Sequence, residues 1–211
     1  LDFGNMGTQG STELTLTRGG ATNFENIDGS GGVDIIRGDS SVNILKGFWG
    51  ADTIYGGGGN DSLSGSNEWS SNNDTDSARR SASSGGTAAD TDDKLYGEAG
   101  NDLLIGTKGD NTLDGGTGTD IIYTGSGLDT IITRSGDGGS SLSDADIIAD
   151  FTNGSDIIGL SGLNYSDLTV GQGTGSYLSH VVVKETSTGD FLLIIQNQSI
   201  DNIDDYDFSA I

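Results

Sequence analysis

Large aliphatic residues recur at every ninth position through two stretches of the chain, separated by polar sequence. Ile36, Leu45, Ile54 and Leu63 make the first series, and Leu95, Leu104, Leu113, Ile122 and Ile131 the second. A helix repeats its apolar face every three to four residues and a half-buried strand every second residue, so neither describes this spacing. The pattern fits a strand of three residues with its central side chain turned inward, followed by a six-residue turn. Two positions before each aliphatic stands Asp34, Asn43, Asp52, Asp61, Asp93, Asp102, Asn111, Asp120 or Asp129. Glycine crowds the positions before that, most completely in Gly56-Gly57-Gly58-Gly59-Asn60-Asp61-Ser62-Leu63-Ser64. The unit reads G-G-x-G-x-D-x-U-x, where U is a large aliphatic. Units begin at Gly29, Gly38, Gly47, Gly56 and Gly65, and again at Ala88, Gly97, Gly106, Gly115 and Thr124.

The flanks read differently. Leu14-Thr15-Leu16-Thr17 alternates as a short half-buried strand, and Phe24 and Ile27 are placed to turn inward just before the repeats, closing their apolar end. After Ile132 the register decays. Val181-Val182-Val183 and Phe191-Leu192-Leu193-Ile194-Ile195 then read as two buried strands joined by a hairpin at Ser187-Thr188-Gly189-Asp190. The expected division is an N-terminal cap strand over residues 1–28, a first repeat half over 29–65, a polar loop insertion over 66–91, a second half over 92–145 and a C-terminal cap over 146–211. Leu1 in place of an initiator Met points to a piece of a longer chain.

Composition adds a requirement for cations. Asp and Glu outnumber Lys and Arg by 32 to 9, for a formal charge of −23, and self-repulsion of that size opposes a compact state unless counter-ions bind. The same balance excludes nucleic acid and anionic membrane surfaces as partners, because both require basic patches. No run of 18 apolar residues is present for direct membrane insertion, and the chain has no cysteine for disulfides or thiolate metal sites. If two nine-residue units complete one coil, each aspartate lies roughly 4.8 Å above the one in the next coil. Two carboxylates that close call for a cation between them. Ca²⁺, which takes six to eight oxygens, suits paired carboxylates and carbonyls. The inward aliphatics form a thin core, so cation binding has to supply part of the folding free energy, and the calcium-free chain is expected to be largely unfolded.

Over residues 29–132 the repeat resembles the calcium-binding nonapeptide of RTX proteins. That resemblance implies an all-β, right-handed parallel β-roll that binds several Ca²⁺ ions between successive turns. It implies one site from Gly57, Gly59 and Asp61 with Gly97, Ala99 and Asp102, if the insertion replaces one unit. A second would use Glu98, Gly100 and Asp102 with Gly115, Thr117 and Asp120, and a third Ser30, Gly32 and Asp34 with Gly47, Trp49 and Asp52. Gly50, Gly56, Gly58, Gly109, Gly116 and Gly118 belong to the same turns and complete the expected ligand set with Asp93 and Asp129. Asn43 and Asn111 depart from the pattern, offering a neutral amide, so their sites should be weak or vacant. The turn before Asp93 lacks glycines, which puts its site in doubt.

From Asp146 onward the chain resembles the C-terminal segment of RTX proteins exported by type I secretion. The carrying elements are Asp146-Ile147-Ile148-Ala149-Asp150-Phe151, Gly154-Ser155-Asp156-Ile157-Ile158 and a terminal Asp207-Phe208. The implied protein is monomeric, engages the type I secretion machinery, and is bacterial and secreted or held at the cell surface. A large surface adhesin is the expected parent, with a protease, lipase or alginate epimerase as the alternative. His180 is the sole histidine and lies in an apolar strand, and no H-E-x-x-H or G-x-S-x-G occurs, so the region is not expected to be an enzyme. An ice- or polysaccharide-binding solenoid is the third class. Thr53, Thr112 and Thr130 share an outward slot, but Ile35, Ile44, Ser62, Lys94, Leu103 and Ile121 interrupt them. Apolar residues in outward slots, namely Ile35, Ile44, Ile105 and Ile132 with Leu103 and Ile121, call for a cover, for which the C-terminal strands are the candidates.

Overall fold

A computed structural model describes residues 12–15, 26–66 and 92–211. In chain order the strands are β1 (Thr12–Thr15), β2 (Asn26–Asp28), β3 (Asp34–Arg37), β4 (Ile44–Lys46), β5 (Thr53–Gly58) and β6 (Ser62–Ser64). Next come β7 (Lys94–Ala99), β8 (Leu103–Ile105), β9 (Thr112–Asp114), β10 (Ile121–Tyr123), β11 (Thr130–Arg134), β12 (Asp146–Ile148) and β13 (Ile157–Ser161). The chain ends with β14 (Leu168–Gln172), β15 (Val181–Glu185), β16 (Phe191–Ile195) and β17 (Phe208–Ala210). No α-helix forms among the described residues, so no helix there is long and apolar enough to cross a membrane.

Consecutive strands from β1 to β13 alternate between two sheets. Sheet A runs β1-β3-β5-β7-β9-β11-β13-β17, and sheet B runs β2-β4-β6-β8-β10-β12-β16-β15-β14. Pairing along the repeats is parallel throughout. The architecture is therefore an all-β parallel roll, as the nonapeptide pattern implies. Its core is two facing ladders of fully buried aliphatics. Ile36, Ile54, Leu95, Leu113, Ile131 and Ile158 stack in sheet A, while Leu45, Leu63, Leu104, Ile122 and Ile148 stack in sheet B. Ile27 continues the second ladder at 2% exposure. Phe24 and the second half of the expected Leu14–Thr17 strand lie outside the described residues; β1 begins at Thr12, two residues earlier, with Leu14 in register with Ile36.

The end of the chain departs from expectation in one respect. The hairpin between β15 and β16 forms, but these strands do not lie over the outward apolar slots: β16 pairs parallel with β12 and prolongs sheet B edge to edge, and β15 and β14 follow antiparallel. Unpaired N–H and C=O groups on β12 are satisfied this way, which a side-chain cover could not do. Ile44 and Ile121 accordingly stay 42% and 40% exposed. The outward threonines sort as well. Ile35, Thr53, Lys94, Thr112 and Thr130 follow one another on sheet A, where Ile35 and Lys94 do break the threonine row as expected. Ile44, Ser62, Leu103 and Ile121 belong to sheet B and do not interrupt it.

Candidate metal centres

Two rows of aspartates run up the sides of the roll, one at the turns entering each sheet. The row before sheet A contains Asp34, Asp52, Asp93, Asn111, Asp129 and Asp156. In each step the backbone N–H of one residue donates to the side-chain oxygen Oδ1 of the next, at 2.8 Å for Asp34 to Asp52, Asp52 to Asp93 and Asn111 to Asp129, 2.9 Å for Asp93 to Asn111 and 3.3 Å for Asp129 to Asp156. The row before sheet B contains Asn43, Asp61, Asp102, Asp120 and Asp146, with the same bond at 2.7 to 2.8 Å. From Asp52 in the first row and Asp61 in the second, one side-chain oxygen of each residue is therefore consumed in tying coils together.

The other oxygen carries the chemistry. Oδ2 of Asp61, Asp102, Asp120 and Asp129 is buried and has no hydrogen-bond partner, in residues at most 3% exposed. Burial pushes their carboxyl pKa values up, to about 6 for Asp61, Asp120 and Asp129 and about 7 for Asp102, where Asp120 and Asp61 add repulsion. At neutral pH the folded chain thus holds buried negative charge that protein groups leave uncompensated, a costly state without a cation.

Glycine at the first repeat position keeps the space in front of that oxygen open. A Cβ on Gly56 would stand 2.6 Å from Asp61 Oδ2 and 2.7 Å from the carbonyl oxygen of Gly97 in the next coil. The equivalent atom on Gly29 would stand 2.9 Å from Asp34 Oδ2 and 2.5 Å from the Gly47 carbonyl. Carboxylate and carbonyl oxygens converge where any side chain would intrude. No trio of His, Cys, Asp or Glu side chains converges among the described residues. The donors are pairs of carboxylates with main-chain oxygens, a hard, all-oxygen set suited to Ca²⁺ over transition metals.

The structure brings together the pairs expected from the repeat: Asp34 with Asp52, Asp61 with Asp102 and Asp102 with Asp120. It corrects the unit before Asp93. Counting back nine residues from Gly97 leads to Ala88, but Gly65 fills the first position, with its carboxylate neighbour Asp93 Oδ2 in direct approach and the Gly106 carbonyl at 2.9 Å from a Cβ there. The insertion therefore sits inside one turn, between Ser66 and Asp92, and Asp93 has its glycine after all. Residues 67–91 lie outside the described residues.

Sequence reasoning did not assign Asp146 and Asp156 to these rows, although Asp146-x-Ile148 and Asp156-x-Ile158 keep the D-x-U spacing. Their coils are lengthened, which hid them: Asp120 and Asp146 are 26 residues apart and Asp129 and Asp156 are 27. Burial raises Asp146 to about 9, with repulsion from Asp120 added. Asp156 is instead satisfied internally by the Thr152 N–H at 2.7 Å and the Thr124 hydroxyl at 3.1 Å.

Asn111 shows how a neutral residue can stand in this row. Its amide Nδ2 donates to Asp129 Oδ1 at 2.9 Å, to the Gly109 carbonyl at 3.1 Å and to the Lys108 carbonyl at 3.4 Å. The N–H groups meet oxygens that a cation would otherwise meet. Asn111→Asp should therefore add one bound ion in excess calcium, counted by equilibrium dialysis, and destabilise the chelated chain by about 1 to 3 kcal/mol. An unchanged stoichiometry would refute this reading of the amide. His180 Nδ1 accepts from the Asn197 N–H at 3.1 Å.

A family model described as the RTX calcium-binding nonapeptide repeat (4 copies) matches residues 28–63, 85–113, 96–131 and 105–138. None of the curated proteins compared matches the sequence. Similar solved structures include the extracellular lipase LipA from Serratia marcescens, 20% identical over 94% of this chain, with a TM-score of 0.42. This chain spans 42% of that lipase's length. The AlgE6R2 subunit of the Azotobacter vinelandii mannuronan C5-epimerase is 21% identical, over 82% of this chain and 90% of that one, with a TM-score of 0.38. The AlgE6R3 subunit of the same enzyme is 22% identical, over 86% and 83%, with a TM-score of 0.30.

Proposed function

Because its repeats belong to the RTX calcium-binding nonapeptide family, whose repeats bind Ca²⁺, we propose that this chain is a calcium-triggered folding and export module. In this reading it ends a large bacterial surface adhesin, passes unfolded through the type I secretion machinery from a calcium-poor cytosol, and folds as a monomer outside the cell. The observation that carries the proposal is the set of buried, partnerless Oδ2 atoms on Asp61, Asp102, Asp120 and Asp129. They make the folded state conditional on a cation that is scarce on one side of the membrane and plentiful on the other. The ions would lie between successive turns, held by the carboxylates of each row and by main-chain oxygens of Gly56, Gly57, Gly59, Gly97, Gly100 and Gly115 and their neighbours.

Residues 146–211 would carry both the cap and the export signal. Their first strands, β12 and β13, complete the two ladders, and β16 and β17 pair directly with them. A reporter fused to the whole chain should be exported by cells carrying a type I system, and a fusion lacking residues 146–211 should stay inside. Export of the truncated fusion at an undiminished rate would assign these residues to capping alone.

A further inference from the structure

The outer face of sheet A carries a row that calcium binding does not use. Arg37, Tyr55, Tyr96 and Asp114 follow one another in register, and Ile132 comes next. The Arg37 guanidinium lies 3.8 Å from the Tyr55 ring centre. Tyr55 and Tyr96 stack with centroids 5.0 Å apart and planes 13° from parallel. The row thus stands its rings upright, each ring face turned along the roll. Asp114 is much shorter than a tyrosine. A slot therefore opens over Asp114, between the stacked tyrosines and Arg134 on the second coil along, whose strand lies two sheet spacings or roughly 9.6 Å from that of Tyr96.

That slot is a cavity of about 220 Å³ whose walls include Tyr55, Tyr96, Glu98, Asp114, Thr117 and Arg134. It is smaller than the roughly 300 to 1,000 Å³ of sites for drug-sized molecules, and its size suits a single ring. Its polar groups are distinctive. Asp114 Oδ2 is held by Arg134, which also bonds Asp137 at 3.3 Å, but Asp114 Oδ1 is buried with no partner. Arg134 keeps further N–H groups, since a guanidinium has five. Glu98 holds φ at +72°, where the equivalent Gly57 and Gly116 have +100° and +91°. Phe48 and Thr107 hold the same repeat position at +80° and +78°, so this turn accepts a side chain there, and in this coil it places a carboxylate on the rim of the slot.

We propose that this slot is a binding site for a neutral hexopyranose unit of a glycan. The apolar C–H face of a sugar ring stacks on Tyr96, its hydroxyls donate to the exposed Glu98 carboxylate, and Arg134 donates to a ring or hydroxyl oxygen. Two carboxylates against one guanidinium, itself already shared with Asp137, disfavour a uronate. The adjoining row of Thr53, Lys94, Thr112 and Thr130 offers a polar track on which neighbouring sugar units can lie. Tyr96, Asp114 and Arg134 lie outside the aspartate rows, and Glu98 and Thr117, which belong to an expected calcium turn, offer the slot their side chains; the reading stands whether or not the chain is an export module.

The test is saturation-transfer NMR on the calcium-loaded chain with methyl glucopyranoside, galactopyranoside and mannopyranoside as probes, and glucuronate and methylguanidinium as contrasts. At least one neutral pyranoside should receive saturation on its ring C–H protons with millimolar affinity. Tyr96→Ala should weaken it about tenfold, equivalent to about 1.4 kcal/mol, whereas Tyr123→Ala on sheet B should leave it unchanged. Glu98→Lys, an exposed rim change, should also abolish the signal and serves if Tyr96→Ala does not fold. The proposal is overturned if no neutral pyranoside is saturated, if either contrast binds more tightly than all of them, or if Glu98→Lys binds as the parent does.

Discussion

Removing calcium at about pH 7.5 should abolish most of the β-sheet signal in far-UV circular dichroism, and acidifying the chelated chain to about pH 4.5 should restore part of it. The sign follows from the carboxylates. Asp61, Asp120 and Asp129 rise to about 6 and Asp102 to about 7 in the folded chain, driven first by burial, from the ordinary 3.8. A carboxyl whose folded pKa is raised favours the folded state fully below 3.8 and loses that contribution as pH rises through 6 to 7. Protonation therefore does in acid part of what calcium does at neutral pH. With calcium present the dependence reverses, because protons compete with the ion for the same Oδ2 atoms, and affinity should fall below about pH 6. A chelated chain with full β signal at neutral pH, or one indifferent to pH across this window, would disprove the folding switch.

Asp61→Ala should cost about 3 kcal/mol or more in saturating calcium, against about 1 kcal/mol for Asp34→Ala. Asp61 stands in mid-row. Its carboxylate accepts the Asn43 N–H at 2.7 Å, its own N–H donates to Asp102 at 2.7 Å, and its Oδ2 is one of the partnerless oxygens. The partner lies 41 residues away, so this contact joins the coils on either side of the insertion. Asp34 occupies an outer coil, and its Oδ2 is already served by the Ser30 N–H at 2.6 Å and hydroxyl at 2.9 Å. Losing Asp61 should also split urea unfolding into two transitions, where Asp34→Ala leaves one. Equal costs and a single transition in both variants would mean that the coils before and after the insertion fold independently.

The repeated part of the fold was legible because one residue type at one spacing does one job. Every inward aliphatic from Ile36 to Ile131 is fully buried, and the pairing of Asp61 with Asp102 follows from counting coils. Counting failed where the chain stopped being contiguous. Gly65 serves Asp93 across the insertion, which a nine-residue frame read backward from Asp93 assigns to Ala88. It failed again where turns lengthen, so that Asp146 and Asp156 kept their local spacing but lost their distance from the row. The outward slots were pooled across both sheets, yet a row on one sheet cannot be interrupted by residues on the other. The slot beside Tyr96 was invisible for a related reason: Tyr55, Tyr96 and Asp114 become neighbours only through the 41-residue step and the coil after it.

Gly65 and Asp93, 28 positions apart in the sequence, stand on either side of one turn of the roll. The neighbouring coils contribute the hydrogen bonds that fix those two points, so the roll sets the distance between the ends of the insertion whatever sequence lies between them. For a loop closed in this way the entropic cost grows with the logarithm of length, about 0.6 kcal/mol for each doubling. If residues 66–91 are an insertion, the turn at Gly65 acts as a port in the scaffold, and replacing them with a foreign segment is expected to keep the register of both sheets.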